Sequence, residues 1–223
     1  MYGHSELPVL HKVVWQSVDI WPQLGAGQCH IWQLDLAGFT GQPAMLDAAE
    51  RSRWRSITQP QAADRFCATR TALRQLLGHY LCCDPAAVPI RLGTCGKPTL
   101  AVESQPLFFN LSHTAQVAVL ACYAVGAVGI DVERPRSVTA ARRIAERVFP
   151  AAGRHDADDP QVFLRQWVQH EARQKCLGLG LLDKIPQPVA LDFFAGTWDA
   201  GWQLGLAWIP QPVLPDLCFF RLN

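Results

Sequence analysis

At 223 residues the chain can form one large domain or two small ones, and roughly 70% of its unfolded surface can be buried on folding. Hydrophobic residues make up 49% and charged residues 17%, which excludes a disordered chain. The net charge of +1 supplies no global field for nucleic acid or an anionic membrane, so any bound anion must be held by a local cluster.

The eight cysteines include no C-x-x-C, and the vicinal pair Cys82-Cys83 fits no zinc spacing. Several lie in apolar runs, where cysteine acts as a small hydrophobe, so reduced thiols and a cytoplasmic setting are expected. No leader pattern opens the chain, and no apolar run reaches the roughly 18 residues that a membrane span needs.

Residues 1–28 show no sustained period and read as an extension over the surface. The alternation in CHIWQLDL, 29–36, predicts a strand. Residues 43–57 read as a short helix carrying Arg51, Arg53 and Arg55. Pro60 starts a longer helix in which Phe66, Leu73, Leu76, Leu77 and Tyr80 recur at helical spacing. Between them, Arg65, Arg70 and Arg74 read as a solvated face. Asp84-Pro85 caps a helical turn. A short strand follows at 90–92, and then the turn Thr94-Cys95-Gly96-Lys97-Pro98, which holds Lys97 out between two punctuating residues.

Three strands joined by short turns are predicted over 108–133, FFNLSHTAQVAVLACYAVGAVGIDVE. In the last, Val128, Ile130 and Val132 face a core while Gly129, Asp131 and Glu133 face the other way. Two carboxylates beyond a glycine suit a hard cation; a solvated strand face is the plainer reading. Residues 139–149 predict an amphipathic helix, and 154–159 a polar, mobile loop.

Asp159-Pro160 caps a helix running to Gly178. On it Phe163, Trp167, Glu171 and Lys175 recur every fourth residue and share one stripe. A surface Glu171–Lys175 pair would contribute only about 0.2–0.5 kcal/mol, but a charge pair that extends an apolar stripe suits the wall of a site. Segments 189–194, 202–208 and 217–222 predict a closing set of antiparallel strands.

Four motifs now stand in order: GKP at 96–98, FNLSH at 109–113, GIDVE at 129–133, and W-x-x-x-E-A-x-x-K at 167–175 followed by GLGL. Together they resemble the 4′-phosphopantetheinyl transferases, in particular the long, single-chain, surfactin-synthetase-activating type. The resemblance is strong from about 29 to 182, loose over the last forty residues and slight over the first 28. It implies an α+β fold of two similar subdomains related by a pseudo-twofold, each a small antiparallel sheet with a long helix. The corresponding division is an extension at 1–28, a nucleotide-side half at 29–126 and a metal-side half at 127–223.

The resemblance also implies an enzyme that moves the 4′-phosphopantetheine arm of coenzyme A onto a serine of an acyl or peptidyl carrier protein, releasing adenosine 3′,5′-bisphosphate. A monomer is expected, with neither nucleic acid nor membrane as partner. Carried over residue by residue, Asp131, Glu133 and Glu171 would hold Mg²⁺, or Mn²⁺ in its place. Three carboxylates about 4 Å apart would repel by roughly 4 kcal/mol per pair at an effective dielectric of about 20, so such a cluster asks for a cation. Lys175 would reach the pyrophosphate. Lys97, Pro98, Ser112 and His113 would hold the nucleotide end, with Arg53 and Arg51 as helpers.

Either Glu171 or a metal-activated water would take the serine proton. Two positions depart from the family's pattern. His170 stands where a lysine is usual and would titrate near neutrality, and Glu50 lies where a cation would be expected. A non-catalytic coenzyme A or carrier-binding module and a metal-dependent nuclease are the competing readings.

Overall fold

The computed structural model describes residues 9–101, 107–139, 141–149, 158–180, 183, 185 and 189–222. In chain order the elements are strands β1 (Leu10–Lys12), β2 (Gln16–Ser17) and β3 (Gln28–Asp35), helices α1 (Ala48–Ser56) and α2 (Pro60–Leu81), and strands β4 (Ile90–Leu92), β5 (Pro98–Leu100), β6 (Phe108–His113), β7 (Val117–Tyr123) and β8 (Val128–Glu133). Helices α3 (Ala141–Val148) and α4 (Pro160–Leu177) follow, and then strands β9 (Asp192–Trp198), β10 (Trp202–Trp208) and β11 (Asp216–Leu222).

Every residue of β7 is buried, so both faces of this strand need a covering layer. One face of β3 and β7, with Trp32, Leu34, Ala118, Leu120 and Cys122, packs against Leu73, Leu76 and Leu77 of α2. The other face, with Ile31, Val119 and Ala121, packs against Ile130, Leu204 and Leu206 of a second sheet. Behind that second sheet lies α4, whose Ala172 and Cys176 meet Ala207. The layers therefore run α2, sheet, sheet, α4. This is the expected α+β class, with one long helix on each sheet.

The first sheet has the order β2-β11-β3-β7-β6 and the second β1-β9-β10-β8, while β4 and β5 form a separate hairpin. The three predicted strands over 108–133 form: β6 and β7 pair in the first sheet, and β8 pairs with β10 in the second. Three expectations need correction. The sheets are not wholly antiparallel: β1 runs parallel to β9, and β11 runs parallel to both β2 and β3. The final strand does not close the second sheet either; it returns to lie beside β3. Finally, the described part of 1–28 does more than cover the surface, since β1 and β2 each extend one sheet.

The long helices form where their signals stand. Pro60 occupies the first turn of α2, and Asp159 caps α4 by accepting from the backbone N–H groups of Gln161 and Val162. Gly178, at φ 69°, ends α4 in the left-handed conformation that glycine adopts without penalty. The segment predicted as one helix over 43–57 splits into a 3₁₀ turn at Pro43–Met45 and α1, because Asp47 and Glu50 form a capping box that starts a new helix. Of the predicted polar loop at 154–159, residues 154–157 lie outside the described residues. No helix among the described residues is long and apolar enough to cross a membrane, and all eight cysteines are free.

Candidate active site

Helix α4 lies on β8 and β10 at backbone distance. A Cβ on Gly129 would stand 2.0 Å from the Ala172 carbonyl oxygen and 2.3 Å from the Cys176 nitrogen, and one on Gly205 would stand 2.4 Å from the Val168 carbonyl oxygen. The room above Gly129 is thus taken by the helix and does not serve a cation directly. Close approach brings the stripe of α4 down onto the outward-facing carboxylates of β8, while Val128, Ile130 and Val132 point into the core as predicted.

Asp131 is 4% exposed. Its Oδ1 accepts from Lys175 Nζ at 2.5 Å and from the Ser112 hydroxyl at 2.7 Å. Lys175 Nζ also donates to Ser112 Oγ at 3.1 Å and lies 3.3 Å from Glu171 Oε2. Asp131 Oδ2 is buried and has no hydrogen-bond partner among the described residues. Four residues from three elements, β6, β8 and α4, therefore share one polar knot at the junction of the two sheets.

Burial and the neighbouring Asp131 charge push the Glu171 carboxyl up to about 7, against the pull of Lys175. Burial works against the Lys175 ammonium, but Asp131 and Glu171 outweigh it and hold its pKa above the usual lysine value. Glu133, two residues from Asp131 on the same strand face, is raised by burial and by Asp131, with Arg136 opposing. Its two oxygens accept from Arg136 Nη2 at 3.3 and 3.2 Å. Among the described residues no three His, Cys, Asp or Glu side chains form a ready metal cluster. The donors present nevertheless fit a hard cation: they are carboxylate oxygens, and one of them, Asp131 Oδ2, is buried without a hydrogen bond.

His113 is exposed at the end of β6, where its ring meets the Thr114 carbonyl oxygen at 3.4 Å. The protein behind the ring lowers its pKa, and so do the charges of Lys175, Arg70 and Arg65, which the Thr114 contact only partly offsets. Arg65 and Arg70 thus belong to the surroundings of His113. Read as part of a solvated helix face, they were missed; both lie within α2, five residues apart, and the apolar periodicity of that helix carried no sign of their role.

Arg74, placed on the same solvated face, is fully buried. It donates to Glu50 Oε2 at 2.5 Å, to Asp47 Oδ2 at 2.6 Å and to the carbonyls of Pro85, Ala86 and Val88. Glu50 therefore serves as Arg74's counter-ion and as the capping-box acid of α1. Arg51 donates to the Leu46 carbonyl at 2.6 Å, and Arg53 is exposed on α1. Lys97 Nζ donates to the carbonyls of Lys175, at 2.5 Å, and Val128, at 3.3 Å, while the half-buried Pro98 opens β5.

The sequence alone suggested that His170 would titrate near neutrality, but burial, with help from Arg173, lowers its pKa to about 4. Its ring meets that of Phe149 edge-on at a centroid distance of 6.1 Å and lies tilted against that of Trp167 at 6.3 Å, an environment that favours the neutral imidazole.

Residues 127–209, the segment spanning β8, α4, β9 and β10, match the profile of the 4′-phosphopantetheinyl transferase superfamily. The chain is 29% identical over 201 residues to the 4′-phosphopantetheinyl transferase HetI of Nostoc sp., covering 85% of this chain and 84% of HetI. It is 38% identical over 112 residues to the 4′-phosphopantetheinyl transferase AcpT of Escherichia coli K12, covering 47% and 55% of the two chains. A phosphopantetheinyl transferase of Thraustochytrium sp. is 26% identical over 175 residues, 67% of this chain and 61% of the relative. The superfamily match falls on the part of the chain that carries Asp131, Glu171 and Lys175, and over most of its length the chain is similar to 4′-phosphopantetheinyl transferases.

Proposed function

We propose that this enzyme transfers the 4′-phosphopantetheine arm of coenzyme A to a serine hydroxyl of an acyl or peptidyl carrier protein. The serine oxygen forms a bond to the phosphorus that bears the pantetheine. The bond from that phosphorus to the bridging oxygen breaks, and adenosine 3′,5′-bisphosphate leaves. The observation that carries the reading is the knot of Asp131, Lys175 and Glu171, in which a buried carboxylate oxygen stands unpartnered beside an acid of raised pKa.

Asp131 and Glu171 would hold Mg²⁺ or Mn²⁺, and Glu133 would join them on releasing Arg136. When bound, the ion supplies positive charge to neutralise the leaving bisphosphate. Lys175, already at the knot, would turn its ammonium to a pyrophosphate oxygen. A carboxyl with a pKa of about 7 is matched to taking the serine proton near neutral pH, which favours Glu171 as general base. His113, with Arg70 and Arg65 near it, forms the cationic neighbourhood that suits the nucleotide's 3′-phosphate. This assignment moves the phosphate contacts away from Arg51, whose Nη1 is held by the Leu46 carbonyl. Free thiols fit a cytoplasmic setting.

The test is one incubation with coenzyme A, Mg²⁺ and an unmodified carrier protein. A mass increase of the carrier equal to the phosphopantetheine arm, with release of the bisphosphate, supports the reading. An unmodified carrier overturns it.

A further inference from the structure

Among the described strands β8 ends its sheet, paired with β10. An edge strand leaves backbone donors and acceptors that must find partners elsewhere when covered. Here side chains from the other half of the chain supply them. Asn110 Oδ1, from β6, accepts from Ile130 N at 2.8 Å, and Lys97 Nζ reaches the Val128 carbonyl at 3.3 Å. Alternate residues of a strand present their backbone groups to the same side, so both side chains serve one open edge.

Lys97 does a second thing. Its ammonium donates at 2.5 Å to the carbonyl of Lys175, in the last turn of α4, where helix carbonyls lack a regular intrahelical partner. The only other donor to that oxygen among the described residues is Gly178 N, at 3.3 Å. A cation at a helix C-terminus also meets the negative end of the helix dipole. The turn that aims Lys97 is itself fixed: Gly93 N donates to the Lys97 carbonyl at 2.7 Å, and Gly96 takes φ 74°.

We propose that Lys97 is a positioning residue that locks β8, carrying Asp131, and the last turn of α4, following Glu171, to the opposite half of the chain. Its ammonium is committed to two backbone carbonyls, so its effect on transfer comes through the placement of the carboxylates and not through a nucleotide contact. The consequence for catalysis rests on the transfer reading above; the brace itself does not.

The test compares Lys97→Met and Lys97→Arg with the wild type in the full chain. In Lys97→Met, kcat for transfer falls about tenfold or more, as expected when reacting groups are misplaced by a fraction of an ångström to an ångström. KM for coenzyme A and Kd for adenosine 3′,5′-bisphosphate stay within about twofold, and Lys97→Arg, which keeps the donors, recovers most of kcat. Amide hydrogen exchange at Ile130 and at 176–178 quickens in Lys97→Met, a readout that does not depend on any transfer activity. A rise in both KM and Kd at unchanged kcat makes Lys97 a nucleotide contact and overturns the proposal, as does a variant with unchanged kcat and unchanged exchange. Should Lys97→Met fail to fold, Lys97→Arg still decides: kcat near wild type at unchanged Kd supports the brace, and weakened bisphosphate binding at unchanged kcat refutes it. If the wild type itself performs no transfer, the functional reading fails, while the exchange result still judges the brace.

Discussion

Gly129 lies directly beneath Ala172, so close that a Cβ on the glycine would stand 2.0 Å from the alanine's carbonyl oxygen. The contact is between backbones, and neither side can turn away as a long side chain would. Gly129→Ala should therefore lift α4 from β8 and cost about 1–3 kcal/mol or more, the usual penalty of overpacking. Urea denaturation measures the loss. Transfer should fall further than stability alone explains, because Glu171 and Lys175 ride on the displaced helix.

Arg74 is buried without exposure and answers two acids, Asp47 and Glu50, together with three carbonyls. Arg74→Met keeps roughly the volume and removes the charge, leaving Glu50 with the Asp47 backbone N–H and, as the one remaining cation paired with it among the described residues, Arg70 at 3.8 Å. Breaking such a pair on one side costs about 3–5 kcal/mol. The measurement is again equilibrium denaturation, and a loss below 1 kcal/mol would remove this cluster's structural role.

Without a bound cation, burial and the Asp131 charge push the Glu171 carboxyl up to about 7 from an ordinary value of 4.5. If it is the base, kcat/KM should climb with pH and level off once Glu171 is ionised, the rise moving to lower pH as Mg²⁺ is raised, and Glu171→Gln should be low and flat. The sign for stability is the opposite. Between about 4.5 and about 7 the unfolded chain binds fewer protons at this site than the folded one, so Glu171 lowers stability as pH rises through that window. Glu171→Gln should remove this slope, and the gain in stability over wild type should grow from pH 4.5 to pH 7.

Arg136 holds Glu133 through an ion pair whose arginine is half exposed. Such pairs are weak, so releasing the acid is not costly. Arg136→Ala should tighten Mn²⁺ binding to the protein alone by about two- to fivefold, read by electron paramagnetic resonance titration. Unchanged affinity would separate Glu133 from the metal.

Much of this arrangement is legible in the chain. The helices from Pro60 and from Asp159-Pro160 announce themselves by period and cap, and the stripe from Phe163 to Lys175 puts Glu171 and Lys175 on one face. The alternation in β8 sends Asp131 and Glu133 to the same side. What alternation does not carry is the identity of the layer on each face. Both faces of β7 are buried, so its pattern is mute about β8's departure to another sheet. The parallel pairing of β11 with β3 joins residues far apart in sequence, which no local signal encodes. Arg74 reads like any helix-face cation because its counter-ion, Glu50, lies 24 residues away. Likewise Gly129, beside the two carboxylates, makes room for a helix, which the strand pattern does not tell.

Asp131 is the most committed member of the knot with Lys175 and Glu171 that we propose transfers the phosphopantetheine arm. The most direct measurement is the intact mass of a carrier protein after incubation with coenzyme A and Mg²⁺, using wild type and Asp131→Asn side by side, with circular dichroism to show that both are folded. A carrier heavier by one phosphopantetheine arm is expected with the wild type and an unchanged carrier with Asp131→Asn. Equal modification by the two proteins would take the transfer chemistry away from Asp131.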